Sequence, residues 1–240
     1  MAQWTSDTFF NGGLHVYQDR EGYRFSIDAA IVAAGVRPKP SESIIDLGTG
    51  CGIIALILAF RHTSVKLIGI EIQDELVKLA DANIRHNRLE HRISLVCGDA
   101  RRLGIKDVAG PADWVVCNPP YRRPRSGRVN PRTQKALARH EINITLKDIV
   151  QAARRFLRNG GQFVTIYPAE RTGDLLKVMH EEGIEPKWLR SIHSHQGDDA
   201  KLICVKGRKA GRPGLIVHYP LVIYEQDGAY TGEAQRLLQP

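Results

Sequence analysis

The sequence predicts an α/β fold. A mostly parallel sheet is covered by helices on both faces, with an antiparallel edge towards the C-terminus and a β-hairpin at the N-terminus. Three observations carry this. From residue 43 to residue 182, short apolar or β-branched runs alternate with segments of helical spacing, the rhythm of βαβ units. One of these runs leads into a glycine-rich turn, Asp46-Leu47-Gly48-Thr49-Gly50-Cys51-Gly52. After Gly183 the rhythm stops, and strand-like runs follow with no helix between the last two.

The elements are expected in this order. Residues 14–18 and 23–27, separated by Asp19-Arg20-Glu21-Gly22, form the hairpin, and residues 29–34 a short helix. Residues 43–47 are the first strand of the alternation and 52–60 an apolar helix. A β-branched strand covers 65–70, and Asp74 caps a helix whose Leu76, Leu79, Ala80, Asn83 and Ile84 share one face. Strands follow over 92–97 and 113–117. Ile149, Ala152, Ala153, Phe156 and Leu157 keep helical spacing until Gly160-Gly161 ends the helix. A strand over 162–167 and a helix over 173–182 complete the alternation. Residues 188–193, 201–205 and 215–224 are strand-like, the last two as an antiparallel hairpin.

Composition narrows the partners. The net charge of +8, from 34 basic and 26 acidic residues, points to a polyanion. Arg122, Arg123, Arg125, Arg128 and Arg132 cluster in one stretch, and Lys206, Arg208, Lys209 and Arg212 in another. No apolar run approaches the ~18 residues of a membrane span, and the N-terminus lacks a secretory pattern. A cytoplasmic protein without a membrane partner is expected. Cys51, Cys97, Cys117 and Cys204 form no C-x-x-C pair, so neither a disulfide partner nor a metal is expected.

The glycine turn has the spacing Asp-x-Gly-x-Gly-x-Gly, not the dinucleotide pattern Gly-x-Gly-x-x-Gly. A carboxylate at the strand end repels a pyrophosphate but attracts an ammonium or sulfonium. Asp46 therefore suits a zwitterionic or cationic nucleotide such as S-adenosylmethionine. Glu71 ends the next strand, nineteen residues past Gly52, a spacing that suits acceptance from ribose hydroxyls. Asp99 ends the third strand and can accept from an adenine amine. All three carboxylates fall on the sheet edge where open α/β folds bind ligands. The fourth strand ends on that edge at Asn118-Pro119-Pro120-Tyr121.

In this order, the glycine turn and the Asn-Pro-Pro-Tyr motif resemble the class I S-adenosylmethionine-dependent methyltransferases that carry that motif. Residues 13–35 (GLHVYQDREGYRFSIDAAIVAAG), 138–141 (ARHE) and 220–234 (PLVIYEQDGAYTGEA) are similar to the bacterial valine-tRNA adenine-N6 methyltransferases. The similarity covers nearly the whole chain. It implies a Rossmann-like sheet of seven strands, with residues 1–40 covering the cofactor pocket and 41–240 forming the methyltransferase domain. It implies methyl transfer to N6 of an adenine in a tRNA or other structured RNA, just 3′ of the anticodon, with S-adenosylhomocysteine as product. Asp46, Gly48, Thr49, Gly50, Glu71, Ile72, Asp99, Ala100 and Asn118 are then cofactor-binding. Phe25, Ser26 and Asp28 close over the methionine end, unless Ser26 or Asp28 caps the following helix. Asn118, Pro119 and Tyr121 are the catalytic positions. Pro120, Tyr121, Arg122, Arg123, Arg125, Arg128 and Arg132 meet the RNA.

The chemistry accounts for these residue types. The lone pair of an exocyclic adenine amine is delocalised, so the nitrogen is a poor nucleophile. The Asn118 oxygen and the Pro119 carbonyl can accept both amine hydrogens, two successive prolines fix the backbone, and Tyr121 can stack on the base. Arg139, His140 and Glu141 are not needed for methyl transfer, and His140 reads as structural or loop-positioning. A protein glutamine methyltransferase shares the Asn-Pro-Pro-Tyr motif but typically has a helical recognition domain ahead of the core. A DNA adenine methyltransferase would carry a separate target-recognition domain. A non-catalytic RNA-binding protein of the same fold would need neither the glycine turn nor Asn118.

Overall fold

The computed structural model describes residues 4–19, 27–119 and 144–239. Strand β1 (Trp4–Phe9) pairs antiparallel with β2 (Leu14–Asp19). Between them Phe10 (φ 54°), Asn11 (φ 54°) and Gly12 (φ 86°) take left-handed conformations, which Asn-Gly pairs serve in tight hairpins. This corrects the expected hairpin of 14–18 with 23–27. The partner of 14–18 lies upstream, because the left-handed turn at Asn11-Gly12 sets the register. Residues 20–26, including Phe25 and Ser26, lie outside the described residues, and Ile27 begins helix α1 (Ile27–Ala34).

The alternation then runs β3 (Ser43–Leu47), α2 (Ile53–Arg61), β4 (Lys66–Glu71), α3 (Asp74–His86), β5 (Ile93–Cys97), β6 (Ala112–Cys117), α4 (Leu146–Phe156), β7 (Leu157–Pro168) and α5 (Thr172–Glu181). Strands β8 (Ile184–His193), β9 (Leu202–Lys209), β10 (Ile216–Val217) and β11 (Leu221–Val222) follow, and α6 (Gly232–Leu237) ends the described chain. The sheet order is β10-β8-β9-β7-β6-β3-β4-β5, with β11 also on β8. Only the pairs made by β9 are antiparallel. The mostly parallel sheet, the antiparallel element near its C-terminal edge and the N-terminal hairpin agree with the expected class, while the two-residue strands β10 and β11 extend the expected seven strands to nine.

Three details differ. Asp74 is not the cap of α3 but its first helical residue, following Gln73, and it pairs with Lys78 one turn on. Helix α4 stops at Phe156, before Gly160-Gly161, because Leu157 already pairs with Ala112 of β6. The antiparallel hairpin joins β8 to β9, not 201–205 to 215–224. After β9 the chain passes beyond β8, so β10 and β11 run parallel to it.

The sheet is packed on both faces. One side joins the hairpin and the first two helices, with Leu14, Val16, Val32 and Leu56 buried together. The other side packs α4 and α5 through Ile149, Phe156, Leu175 and Met179. Helix α2 is buried continuously from Ile53 to Ala59, as expected of a helix enclosed all round. Helix α4 shows one apolar face and starts with a capping box, in which Thr145 Oγ1 accepts from Asp148 N at 3.1 Å and Asp148 Oδ2 accepts from Thr145 N at 2.8 Å.

Two asparagines on α3 hold the hairpin. Asn83 Oδ1 accepts from Tyr17 N at 2.7 Å, and Asn83 Nδ2 donates to Tyr17 O at 3.0 Å. One turn later Asn87 Oδ1 accepts from His15 N at 2.9 Å and Nδ2 donates to His15 O at 2.6 Å. The side-chain amides thus take the place of a third strand along β2. Among the described residues no helix is long and apolar enough to cross a membrane.

Candidate active site

The carboxyl ends of four parallel strands converge. Leu47 of β3 stands beside Ile70 of β4 and Cys117 of β6, and Glu71 beside Cys97 of β5. The residues that follow these ends, Gly48, Ile72, Gly98 and Asn118, therefore share one edge. Between β3 and α2 the backbone turns through Gly48 (φ 71°) and Gly50 (φ 58°), conformations that L side chains rarely adopt. A Cβ built on either glycine meets no atom of the described residues within 4 Å. The loop thus presents bare backbone to an open space. A Cβ on Gly69 would instead meet Thr49 Cγ2 at 2.8 Å, so this glycine lets the loop lie against β4.

Asp46 is fully buried. Its Oδ2 accepts from Thr49 Oγ1 at 2.6 Å, while among the described residues Oδ1 has no hydrogen-bond partner. Burial pushes its carboxyl up to about 7, against the opposing Thr49 hydrogen bond, and the Glu71 charge adds to the rise. A buried carboxylate with one oxygen unmatched is costly unless a donor or cation arrives. Asn118, the first residue after β6, also has a buried Oδ1 without a partner among the described residues. The Cys117 thiol before it is held far above the usual thiol range by burial, so it remains protonated and is a weak nucleophile.

The other two carboxylates are engaged. Glu71 Oε1 accepts from Ile72 N at 2.9 Å and Gln73 N at 3.0 Å, and Oε2 from Gly50 N at 3.1 Å. It fastens the glycine turn to the start of α3, where a negative charge also meets the positive end of the helix. Asp99 is clasped by Arg101, whose Nε lies 3.0 Å from both carboxylate oxygens and whose Nη2 lies 2.7 Å from Oδ2. The Arg101 hydrogen bonds hold the Asp99 carboxyl below the usual range. The Ala100 carbonyl accepts from Arg155.

The structure therefore brings Asp46, Gly48, Thr49, Gly50, Glu71, Ile72 and Asn118 to one edge, with Pro119 buried beside Asn118. Asp28 lies in the first turn of α1. Pro120, Tyr121, Arg122, Arg123, Arg125, Arg128 and Arg132, with Arg139, His140 and Glu141, lie outside the described residues. Arg101 escaped the sequence reading, which placed Asn83 only on the packed face of its helix. Asn83 is fully buried, and besides gripping the hairpin its Nδ2 donates to Cys51 O of the glycine turn at 2.9 Å. The available signal was the pair of asparagines four residues apart on one helix face.

Residues 26–181 match the family model for the methyltransferase small domain. The chain belongs to the methyltransferase small domain family. This methyltransferase is 29% identical over 227 residues to a Porphyromonas gingivalis protein named tRNA1(Val) (adenine(37)-N6)-methyltransferase, covering 90% of this chain and 88% of that one. An Aeromonas salmonicida protein of the same name is 26% identical, over 94% of this chain and 93% of its own. Among solved structures, a predicted O-methyltransferase from Agrobacterium tumefaciens matches with a TM-score of 0.70 at 22% identity, over 88% of this chain and 94% of that one. Pyrococcus horikoshii TYW2 in complex with MeSAdo matches with a TM-score of 0.60 at 18% identity, over 88% of this chain and 73% of its own. These two structures share the fold of this chain.

Proposed function

We propose that this methyltransferase uses S-adenosylmethionine to methylate the N6 amine of an adenine in RNA, and that the RNA is a tRNA with its target adenine just 3′ of the anticodon. The buried Asn118 side-chain oxygen, without a partner among the described residues, carries the reading. It stands at the end of β6, next to β3 and the glycine turn, where it can accept from a donor on the substrate. The names of the relatives support the RNA and the position of the base.

Asp46, Gly48, Thr49, Gly50, Glu71, Ile72, Asp99 and Ala100 are the residues that would hold S-adenosylmethionine, with Phe25, Ser26 and Asp28 closing over it. The open space at Gly48 and Gly50 and the unmatched Asp46 oxygen fit a ligand that combines close backbone approach with positive charge. Glu71 Oε2 has one backbone partner and keeps a lone pair for a ribose hydroxyl. At Asp99, an adenine amine has to share the carboxylate with Arg101. When bound, the cofactor supplies an electron-poor methyl group on a sulfonium.

The chain's own residues prepare the acceptor nitrogen. Asn118 Oδ1 accepts one amine hydrogen and the Pro119 carbonyl the other, which turns the nitrogen lone pair out of conjugation with the ring. As that lone pair is drawn into the new bond the nitrogen becomes positive, and both hydrogen bonds strengthen. Tyr121 stacks on the base face. The surplus proton then leaves to solvent, so the pocket needs no strong base.

The test is methyl transfer by the purified protein to unmodified tRNA transcripts, followed by mapping of modified nucleosides by mass spectrometry. N6-methyladenine next to the anticodon is the expected product. Transfer to a protein glutamine, or binding of RNA without binding of S-adenosylmethionine, overturns the reading.

A further inference from the structure

Away from the active site, the sheet carries a row of three rings with a cation at each end, half-buried at Lys206 and Trp188 and exposed at His218 and Tyr219. Lys206 Nζ lies 5.8 Å from the Trp188 ring centre, and the two residues are register partners on β9 and β8. Trp188 lies 5.6 Å from His218, and His218 4.8 Å from Tyr219. The Arg190 guanidinium stands 4.5 Å over Tyr219. The segment bearing two of these rings is exposed throughout 212–220, with Ile216, Val217 and Tyr219 at 65%, 69% and 60% exposure. Aromatic and apolar surface on that scale, in one stretch of chain, marks a contact face.

Charge decides the kind of partner. Among the described residues neither Lys206 nor the exposed Arg37 near it has a carboxylate partner. Burial, with Arg37 adding to it, holds the half-buried Lys206 ammonium below the usual lysine range, as for a cation that lacks its anion. Arg37 also lines a cavity with His62 and Arg236. The nearby acids are already taken: Glu233 by Arg190 at 2.7 Å, and Glu185 by His180 at 2.7 Å. A second copy of the chain would set this positive face against itself. A nucleic acid brings phosphates to the cations and bases to the rings.

We infer that the face built from Arg37, Lys206, Trp188, His218, Tyr219 and Arg190 is a docking surface for the RNA substrate, separate from the active-site edge. The inference rests on the proposed RNA methylation. The geometry suits it. Cys117, next to Asn118, is in register with Thr165, then Val205, then Leu189. Lys206 on β9 therefore lies two strands across and Trp188 on β8 three, about 10 Å and 14 Å at the usual strand spacing. That is a span of a few nucleotides, so one RNA molecule can reach both places.

The test uses the full chain with an unmodified tRNA transcript, measuring RNA affinity at several salt concentrations, S-adenosylmethionine affinity, and steady-state methylation. In the double variant Arg37→Ala/Lys206→Ala, the RNA Kd should rise roughly tenfold or more at low salt, and the log–log salt slope should fall by ~1.4–1.8 for two phosphate contacts. KM for RNA rises, while kcat and cofactor affinity stay within about twofold. Tyr219→Ala removes a stacking platform and should weaken RNA binding by roughly fivefold or more. The exposed single variant Arg37→Ala keeps the test valid if the double variant folds poorly, with a slope change of ~0.7–0.9. Unchanged affinity and slope overturn the docking face while leaving RNA methylation intact. A wild-type protein that binds no RNA overturns both. A wild-type dimer made monomeric by Tyr219→Ala, with RNA affinity unchanged, assigns the face to a second copy and also overturns the inference.

Discussion

At the carboxyl edge over β3 and β4, acidic groups are hidden: Asp46 is 0% exposed and Glu71 6%. Along β8 and β10 the reverse holds, with aliphatic and aromatic side chains facing water, and among the described residues the neighbouring Lys206 and Arg37 have no carboxylate partner. Each region breaks a rule of ordinary folding, the first by burying charge and the second by exposing apolar surface. The difference teaches that a ligand site can be recognised by the sign of its deficit. Among the described residues, the inner edge leaves oxygens of Asp46 and Asn118 without donors. Among the described residues, the outer face lacks anions for Lys206 and Arg37.

The sharpest way to break the comparison is at Asn118. Asn118→Ala should lower kcat by ~10²–10³, as for losing one preorganised hydrogen-bonding group, while S-adenosylmethionine affinity hardly moves. Single-turnover methyl transfer to tRNA, with cofactor binding measured separately, checks this, and wild-type turnover would reduce Asn118 to a strand-ending residue. Asn118→Asp, which keeps an acceptor, should be milder.

Glu71→Ala comes next. It removes an acceptor of three backbone N–H groups, so both the glycine turn and the start of α3 loosen. We expect cofactor affinity to fall about ten- to hundredfold, for ~1.5–3 kcal/mol, with a lowered Tm. A lowered Tm with unchanged affinity by calorimetry would leave Glu71 as a helix-end anchor alone.

Asp46 gives a pH signature. Its folded carboxyl, pushed up to about 7 from 3.8, lies above the unfolded value. The folded state therefore keeps a proton that the unfolded state releases, and the stability of the empty protein falls as pH rises from about 4 to about 7. A cationic ligand needs the ionised form. Below pH 7, S-adenosylmethionine affinity should weaken by up to about tenfold per unit, and binding should release a proton. Asp46→Asn should bind weakly and show neither dependence in calorimetry across buffers; a wild-type affinity flat from pH 5.5 to 8 would detach Asp46 from the cofactor.

The smallest effect sharpens the same point. Thr49→Val deletes the hydrogen bond that lowers the Asp46 carboxyl, so the midpoint of that pH profile should move up by less than about one unit, for a bond of ~1 kcal/mol. An unmoved midpoint would mean that another group titrates.

The inner edge was legible because its chemistry is written in contiguous runs. Asp46 through Gly52 and Asn118 onward each carry their meaning within a few residues, and the βαβ rhythm places them side by side. The outer face was not legible, since Arg37, Trp188, Lys206 and Tyr219 come from four separate segments that only the sheet order unites. The hairpin was misread because alternation in residues 14–18 shows a strand but not its partner, and the Asn11-Gly12 turn was passed over. The Asp99–Arg101 clasp depends on the shape of a turn, which spacing alone does not disclose.

The asparagine pair on α3 works as a vernier. Along β2, His15 and Tyr17 are two residues apart, ~6.6 Å at the usual strand rise. Along the helix, Asn83 and Asn87 are four residues apart, ~6.0 Å. Two scales of unequal pitch coincide over one interval and drift by about half an ångström at each further one. A third rung would pair Asp19 with Leu79, and leucine has no amide to offer. Hairpin attachment should therefore tolerate changes of side chain on the open flank of β2, yet fail with the loss or gain of a single residue between the two rungs.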